Sequence, residues 1–297
     1  MTEKASFRLA GCAVALLLLL TGCRPATDGT PEAGAVATIE NKGSDTMVNI
    51  ALAWAERYQD LHPEVRLAVT GGGSGTGIAA LINGTVDIAN ASRSIKAEER
   101  EAAVSNGVDP VEFVVARDAI AVIVHLDNPV DRLTLQQISD IYSGKIDNWS
   151  EVGGEDRPIV RLSRETNSGT HVYFLESVVR LGQADDTTLF TPDTLLLSSS
   201  EGIGTEVRQN PNAIGYDGLG YVTGEMKTIA IGLSEEGPFW QPSVETVNSG
   251  KYPIARDLYM YTANEPQGVI LAYLDWIRQP EAQEIVRELG FVPIIEE

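Results

Sequence analysis

The chain is short of cysteine, histidine, aromatic residues and positive charge, and each shortage removes a class of function. Only Cys12 and Cys23 are present among 297 residues. Cys12 lies in an apolar N-terminal segment that reads as a removable signal, so one cysteine remains and neither a disulfide nor a cysteine-based metal site is expected. The histidines, His62, His125 and His171, are scattered with no metal-ligand spacing. Lysine and arginine total 22 against 42 aspartates and glutamates, a net charge of −20. Such a surface argues against nucleic acid. It also repels anions at long range, so an anion site would have to work through local donors. Long hydrophobic runs are missing as well: Ala13–Leu20 is too short to span a bilayer. Enzyme signatures fail in turn. The glycine-rich segment Gly71–Gly77 lacks the Lys-Ser/Thr ending of a nucleotide phosphate loop and is not G-x-G-x-x-G. Thr76 and Thr166 stand where a G-x-S-x-G elbow around Ser74 or Ser168 needs glycine. No serine–histidine–acid set can be named from spacing. Neither catalysis nor a cofactor nor a metal is expected.

What is present begins with an address. Lys4 and Arg8 form a basic start, Ala13–Leu20 an apolar core, and Leu20-Thr21-Gly22-Cys23 a lipobox. Residues 1–22 are therefore expected to be a lipoprotein signal peptide and Cys23 the lipidated residue. Residues 23–37 are expected to be a tether, since Arg24–Ala37 is rich in Pro, Gly, Ala and Thr without apolar periodicity. The expected location is extracytoplasmic, anchored to a bacterial membrane through lipid, and the expected state is a monomer.

Beyond the tether, strands and helices alternate. Strand patterns at Val65–Val69, Val86–Ala89, Val111–Val115, Ile120–His125, Ile159–Leu162, Ala213–Tyr216, Thr228–Ile231 and Leu258–Thr262 are separated by helical ones. The helical patterns are Thr46–Asp60, Ile78–Asn83, Lys96–Ser105, Leu135–Tyr142, Thr170–Arg180, Gly202–Gln209, Gly268–Arg278 and Pro280–Leu289. This is an α/β pattern with largely parallel strands. Three strand-to-helix turns carry small hydroxyl residues: Gly43-Ser44-Asp45-Thr46, Gly73-Ser74-Gly75-Thr76-Gly77, and Arg164 followed by Ser168-Gly169-Thr170. Glycines let the backbone approach a ligand, and N–H groups at a helix start bind anions. Three such loops converging would enclose a small tetrahedral oxyanion. Trp54, Tyr58, Phe174 and Trp276 read as core, and Lys96–Glu101 as a solvated helix face.

These motifs, with Asp87-Ile88-Ala89-Asn90-Ala91-Ser92-Arg93, Ile141-Tyr142-Ser143-Gly144-Lys145-Ile146 with Trp149, Asn212-Ala213-Ile214-Gly215-Tyr216, and the stretch Tyr252-Pro253 through Tyr261-Thr262, are a specific set. From about Ile39 to Pro293 the chain resembles the phosphate-binding proteins of high-affinity phosphate ABC transporters. The resemblance implies a type II periplasmic-binding-protein fold, two α/β lobes joined by hinge strands with a desolvated phosphate in the cleft between them. It implies delivery of that phosphate to the permease subunits of a transporter. The lobes are expected to comprise residues 38–116 plus 222–297, and 117–221. By motif, Ser44, Thr46 and Ser74 look like donors from one lobe, and Arg164, Ser168, Gly169 and Thr170 like ligands from the other. Arg93 occupies the place where some members carry an aspartate that accepts the phosphate proton. It is expected to strengthen anion binding in general, or else to pair structurally with Asp87 or Asp118. The acceptor would then be Asp45 or Asp217. The rival readings are the same scaffold holding sulfate, molybdate or tungstate, and a phosphate sensor that does not serve transport.

Overall fold

A computed structural model describes residues 36–295. The strands are β1 (Ala37–Gly43), β2 (Val65–Thr70), β3 (Ile88–Ala91), β4 (Val111–Val124), β5 (Arg132–Thr134), β6 (Val160–Arg164), β7 (Leu195–Leu197), β8 (Ala213–Gly218), β9 (Lys227–Thr228), β10 (Ala230–Gly232), β11 (Phe239–Trp240) and β12 (Ala255–Thr262). The helices are α1 (Val48–Leu61), α2 (Ser74–Ile82), α3 (Ala97–Ser105), α4 (Leu135–Ser143), α5 (Gly169–Phe174), α6 (Ser200–Gln209), α7 (Val244–Asn248), α8 (Gly268–Ile277) and α9 (Pro280–Glu288).

Nine strands form one sheet along the path β2-β1-β3-β12-β4-β8-β6-β7, with β9 paired to β4. Pairing is parallel among β1, β2 and β3 and among β6, β7 and β8, and antiparallel where β12 and β4 join the two groups. The sequence pattern predicts two strands at 111–125, because Arg117 and Asp118 interrupt the apolar run. The chain instead continues as one 14-residue strand. The interruption is tolerated because Asp118 faces Arg256, its register partner on β12, and the two form an ion pair. Its first half pairs with β12 and its second half with β8.

Each half of β4 serves a different core. One gathers Ile39, Trp54, Tyr58, Leu258, Tyr273 and Val286 beneath α1, α8 and α9. Helix α1 joins it through Ile50, Ala51, Trp54, Ala55 and Tyr58, an apolar face at helical spacing. The other gathers Tyr142, Trp149, Phe174 and Tyr216. Ile229, Ile231, Val247, Tyr252 and Ile254 also pack into this second core. Ile231 is carried there because β10 pairs in parallel with β5, placing it beside Leu133. Trp54, Tyr58 and Phe174 are buried as expected, and Trp276 is partly buried against the first core.

Boundaries moved where glycine made the pattern ambiguous. Helix α2 starts at Ser74, four residues before the apolar run at Ile78. Ser74 is thus the first helical residue, and the N-cap is Gly73 at φ +93. The expected helix 170–180 is α5 followed by a wider π turn over Leu175–Val179. The expected signal peptide, Cys23 and almost all of the expected tether lie outside the described residues.

Candidate functional site

The hydroxyl-bearing turns meet. Gly73 N donates to Gly43 O at 2.9 Å, which lays the glycine-rich turn against the end of β1. Ser92, at the end of β3, donates its N–H to Ser74 Oγ at 3.0 Å, and the two hydroxyls lie 3.2 Å apart. From the far side of the sheet, Thr170 Oγ1 comes within 2.8 Å of Thr46 Oγ1, although 124 residues separate them. Gly75 N donates to Asn167 O at 3.1 Å, and Asn167 Nδ2 donates to Gly72 O at 3.0 Å. Two glycines allow this closeness. A Cβ on Gly73 would lie 2.8 Å from Asn167 O, and one on Gly169 would lie 2.6 Å from Ser92 Oγ and nearer still to Ser74 Oγ.

Thr46, Ser74, Ser92, Gly169 and Thr170 are thus brought together, and Ser44 and Ser168, also buried, flank them in sequence. Ser168 caps α5 by accepting from Thr170 N at 3.2 Å. Ser44 Oγ is buried and has no partner. With so many N–H groups already donating to these hydroxyl oxygens, the cluster offers mainly O–H protons. It is suited to an anion rather than a cation.

Arg164 stands beside this cluster, almost fully buried. Nε donates to Leu197 O, Nη1 to Ser200 Oγ and Nη2 to Ser198 O, and Nη2 forms an ion pair with Asp45 Oδ2 at 3.1 Å. A guanidinium has five N–H bonds. Three are hydrogen-bonded within the protein and the charge is paired with Asp45, so a two-handed grip on a ligand would have to share the guanidinium with Asp45. Asp45 also accepts from Ser200 N at 2.9 Å and so ties the first turn to the start of α6.

Arg93 is buried next to the second turn, with Nη2 3.7 Å from where a Gly75 Cβ would be. Its charge is committed elsewhere. It pairs with Glu99 through two hydrogen bonds of 2.8 and 2.6 Å and donates to Ser94 O, leaving Nε buried and unpartnered. Neither expected partner is used: Asp87 accepts from Glu40 N, and Asp118 holds Arg256. Glu99 wins because it sits at N3 of α3, where it also accepts from Lys96 N at 2.9 Å. Burial works to raise the Glu99 carboxyl, but the hydrogen bonds and charges of Arg93 and Lys96 outweigh it and hold it below its usual value. The 96–101 segment is therefore not simply a solvated face.

Asp217 ends β8 fully buried. Oδ1 accepts from Ser200 Oγ at 2.9 Å and from Gly218 N at 2.8 Å, while Oδ2 has no partner. Burial pushes this carboxyl up to about 7; Asp118 adds to the push, and Arg164, Gly218 N–H and Ser200 oppose it. Between about pH 4 and 7 the folded protein therefore holds a proton that the unfolded chain has released. Stability from this group falls as pH rises through that window. Asp217→Asn should gain stability over the parent at pH 8 and little at pH 5, measured by denaturant melts. An unchanged pH slope would remove Asp217 as its source.

His171 is a core residue. Its Nδ1 lies 2.8 Å from Arg164 O, so the proton sits on Nδ1, and burial lowers its pKa. Among the described residues no group of three His, Cys, Asp or Glu could hold a metal ion, and no helix is long and apolar enough to cross a membrane.

Two participants escaped the sequence reading as site residues. Ser92 was visible only as part of a motif. Arg256 too lay within a motif stretch but drew no role, because only the β4–β12 register brings it to the cluster, where Nη2 donates to Thr170 Oγ1 at 2.9 Å and Nη1 to Ser92 O at 2.9 Å.

Known proteins with this pattern agree with one another. The PBP superfamily domain matches residues 28–281. The phosphate-binding protein PstS of Pseudomonas aeruginosa is 32% identical over 278 residues, covering 88% of this chain and 84% of its own. PstS of Bacillus subtilis is 32% identical over 267 residues, covering 89% and 83%. Among solved structures, a Clostridium perfringens ABC-transporter substrate-binding protein with bound phosphate is 32% identical, with a TM-score of 0.78, covering 87% of this chain and 100% of that one.

Proposed function

We propose a ligand chemistry from one premise: the chain belongs to the PBP superfamily and, within it, to the phosphate-binding proteins. Its fold is the type II arrangement of two α/β lobes with a cleft between them. It captures inorganic phosphate outside the cytoplasm and delivers it to an ABC transporter, without chemistry on the ligand. The permease subunits of that transporter are its expected partner.

The observation that carries the residue-level reading is the meeting of Thr46 with Thr170, and of Gly169 with Ser74 and Ser92. Hydroxyls from both lobes converge on one enclosed spot. Ser44, Ser74, Ser168 and the Thr46–Thr170 pair, through the one proton that it does not use internally, donate O–H bonds to the anion, with N–H groups at the start of α5. These charge-assisted bonds offset the hydration that phosphate loses on closure. Arg164 supplies the two N–H bonds that make no hydrogen bond within the protein, with balancing charge, and Arg93 supplies charge from behind the second turn. The lobes divide at Arg117–Asp118, and the packing of Ile229–Ile254 supports assigning residues 229–254 to the second lobe rather than the first.

Asp45 is the acceptor that recognises the phosphate proton. Oδ2 pairs with Arg164 and accepts from Ser200 N, and a quarter of the side chain's surface stays open. A phosphate proton can donate to this carboxylate, and sulfate has none to give, so phosphate gains a charge-assisted bond there that sulfate lacks. Asp217 is less suited, since it holds its own proton near neutrality. Calorimetric titration tests this: the parent should bind phosphate far more tightly than sulfate, and Asp45→Asn should narrow the gap by tenfold or more. A parent with equal affinities supports a general oxyanion receptor, and an unchanged ratio in the variant places the acceptor elsewhere.

Anchoring rests on Leu20-Thr21-Gly22-Cys23 alone. Cells fed a fatty-acid analogue should label the parent and not Cys23→Ala; label on the variant rejects the lipobox.

A further inference from the structure

The hinge carries a buried cation that the ligand reading does not use. Arg256 lies on β12 directly opposite Asp118 on β4. Both are buried, Asp118 completely, and they are joined through Nη2 at 2.9 Å and Nε at 3.3 Å. The guanidinium also stands 5.6 Å from the centre of the Tyr173 ring, whose hydroxyl donates to Ala255 O. Thus clamped, Arg256 reaches both lobes: Nη1 donates to Ser92 O and Nη2 to Thr170 Oγ1, each at 2.9 Å.

The consequence concerns protons. Thr46 and Thr170 share a hydrogen bond at 2.8 Å. The pair has two hydroxyl protons and uses one between its own oxygens, so one remains. A charged N–H arriving at Thr170 Oγ1 takes up acceptor capacity there and polarises the pair. That remaining proton is then turned away from Arg256 and becomes a stronger donor. We propose that Arg256, held on the hinge by Asp118, is a positioning residue for phosphate: through Thr170 it orients the Thr46–Thr170 hydroxyl pair as a donor toward the anion. Because its two site contacts lie on opposite lobes, this orientation is complete only when the lobes are together.

The proposal rests on the reading of the cleft as a phosphate site, so binding of phosphate by the parent protein is the first measurement. Absence of binding there overturns that reading; the arms below address Arg256. Arg256→Met alone would strand a buried aspartate, so the test variant is Arg256→Met with Asp118→Leu, which replaces an ion pair by apolar side chains of similar size. Arg256→Lys is the second variant; it keeps the charge opposite Asp118 but cannot span Asp118 and Thr170 with a planar fork. The full-length protein is titrated with inorganic phosphate by calorimetry, and its ligand-free melting is followed in parallel. The expected result is a tenfold or greater rise in Kd for the double variant, with a smaller rise for Arg256→Lys. In a Thr170→Val background the same changes should cost less than twofold, because the hydroxyl through which Arg256 acts is already gone. Unchanged Kd in both variants, or an undiminished loss in the Thr170→Val background, overturns the proposal and leaves Arg256 a structural partner of Asp118. If the double variant does not fold, the Arg256→Lys cycle decides by the same criterion.

Discussion

Phosphate at about a thousand times its Kd should raise the melting temperature by roughly 8–16 °C over the ligand-free protein, while sulfate at the same concentration should move it little. The size follows from mass action: a ligand that binds only the folded state adds about 4 kcal/mol at that excess. For a protein of this length each kcal/mol is worth roughly 2–4 °C. Folded-state exclusivity is well founded here. Thr46 and Thr170 are 124 residues apart, and Gly169 meets Ser74 and Ser92 from a distant part of the chain, so the cluster exists only in the folded chain. The measurement is a thermal melt after exhaustive dialysis or partial unfolding to remove co-purified ligand. Equal shifts with both anions would favour the general-oxyanion reading; no shift with either would remove the cleft as an anion site.

Arg164→Ala should cost about 2–5 kcal/mol of phosphate binding, or roughly thirtyfold to several thousandfold in Kd. It should also lower the ligand-free melting temperature. The two effects come from different bonds. Leu197 O, Ser198 O and Ser200 Oγ are in the same lobe as Arg164, so losing them destabilises the folded chain whether or not ligand is present. Asp45 is in the opposite lobe, so losing that ion pair weakens closure. A buried acceptor or charge stripped of its partner costs more than the bond itself was worth. Arg164→Lys should recover part of the binding and less of the stability, because an ammonium cannot serve Leu197, Ser198, Ser200 and Asp45 from one plane. A drop in melting temperature with Kd unchanged would make Arg164 only a structural strut for the Leu197–Ser200 segment.

Much of this was legible in the sequence. Small hydroxyl residues beside glycines at strand-to-helix turns are local features, and their effect on the backbone is local. Ser44, Thr46, Ser74, Ser168, Gly169 and Thr170 could therefore be singled out as candidates before any fold was known, with the family resemblance suggesting their roles. The apolar periodicities of α1 and of β8 are equally local, and they specified the α/β alternation. What the sequence could not determine depends on which distant segments are paired. Glu99 rather than Asp87 or Asp118 neutralises Arg93, because α3 begins where its third residue can reach back. Asp45 meets Arg164 although 119 residues separate them, because the fold packs the first turn against the end of β6. Asp118 and Arg256 read as polar breaks in two strands, yet the antiparallel register of β4 and β12 makes them one buried pair at the hinge. A charge in an isolated strand pattern argues for solvent. Only a partner fixed by tertiary pairing can make its burial tolerable, and that partner lies 138 residues away.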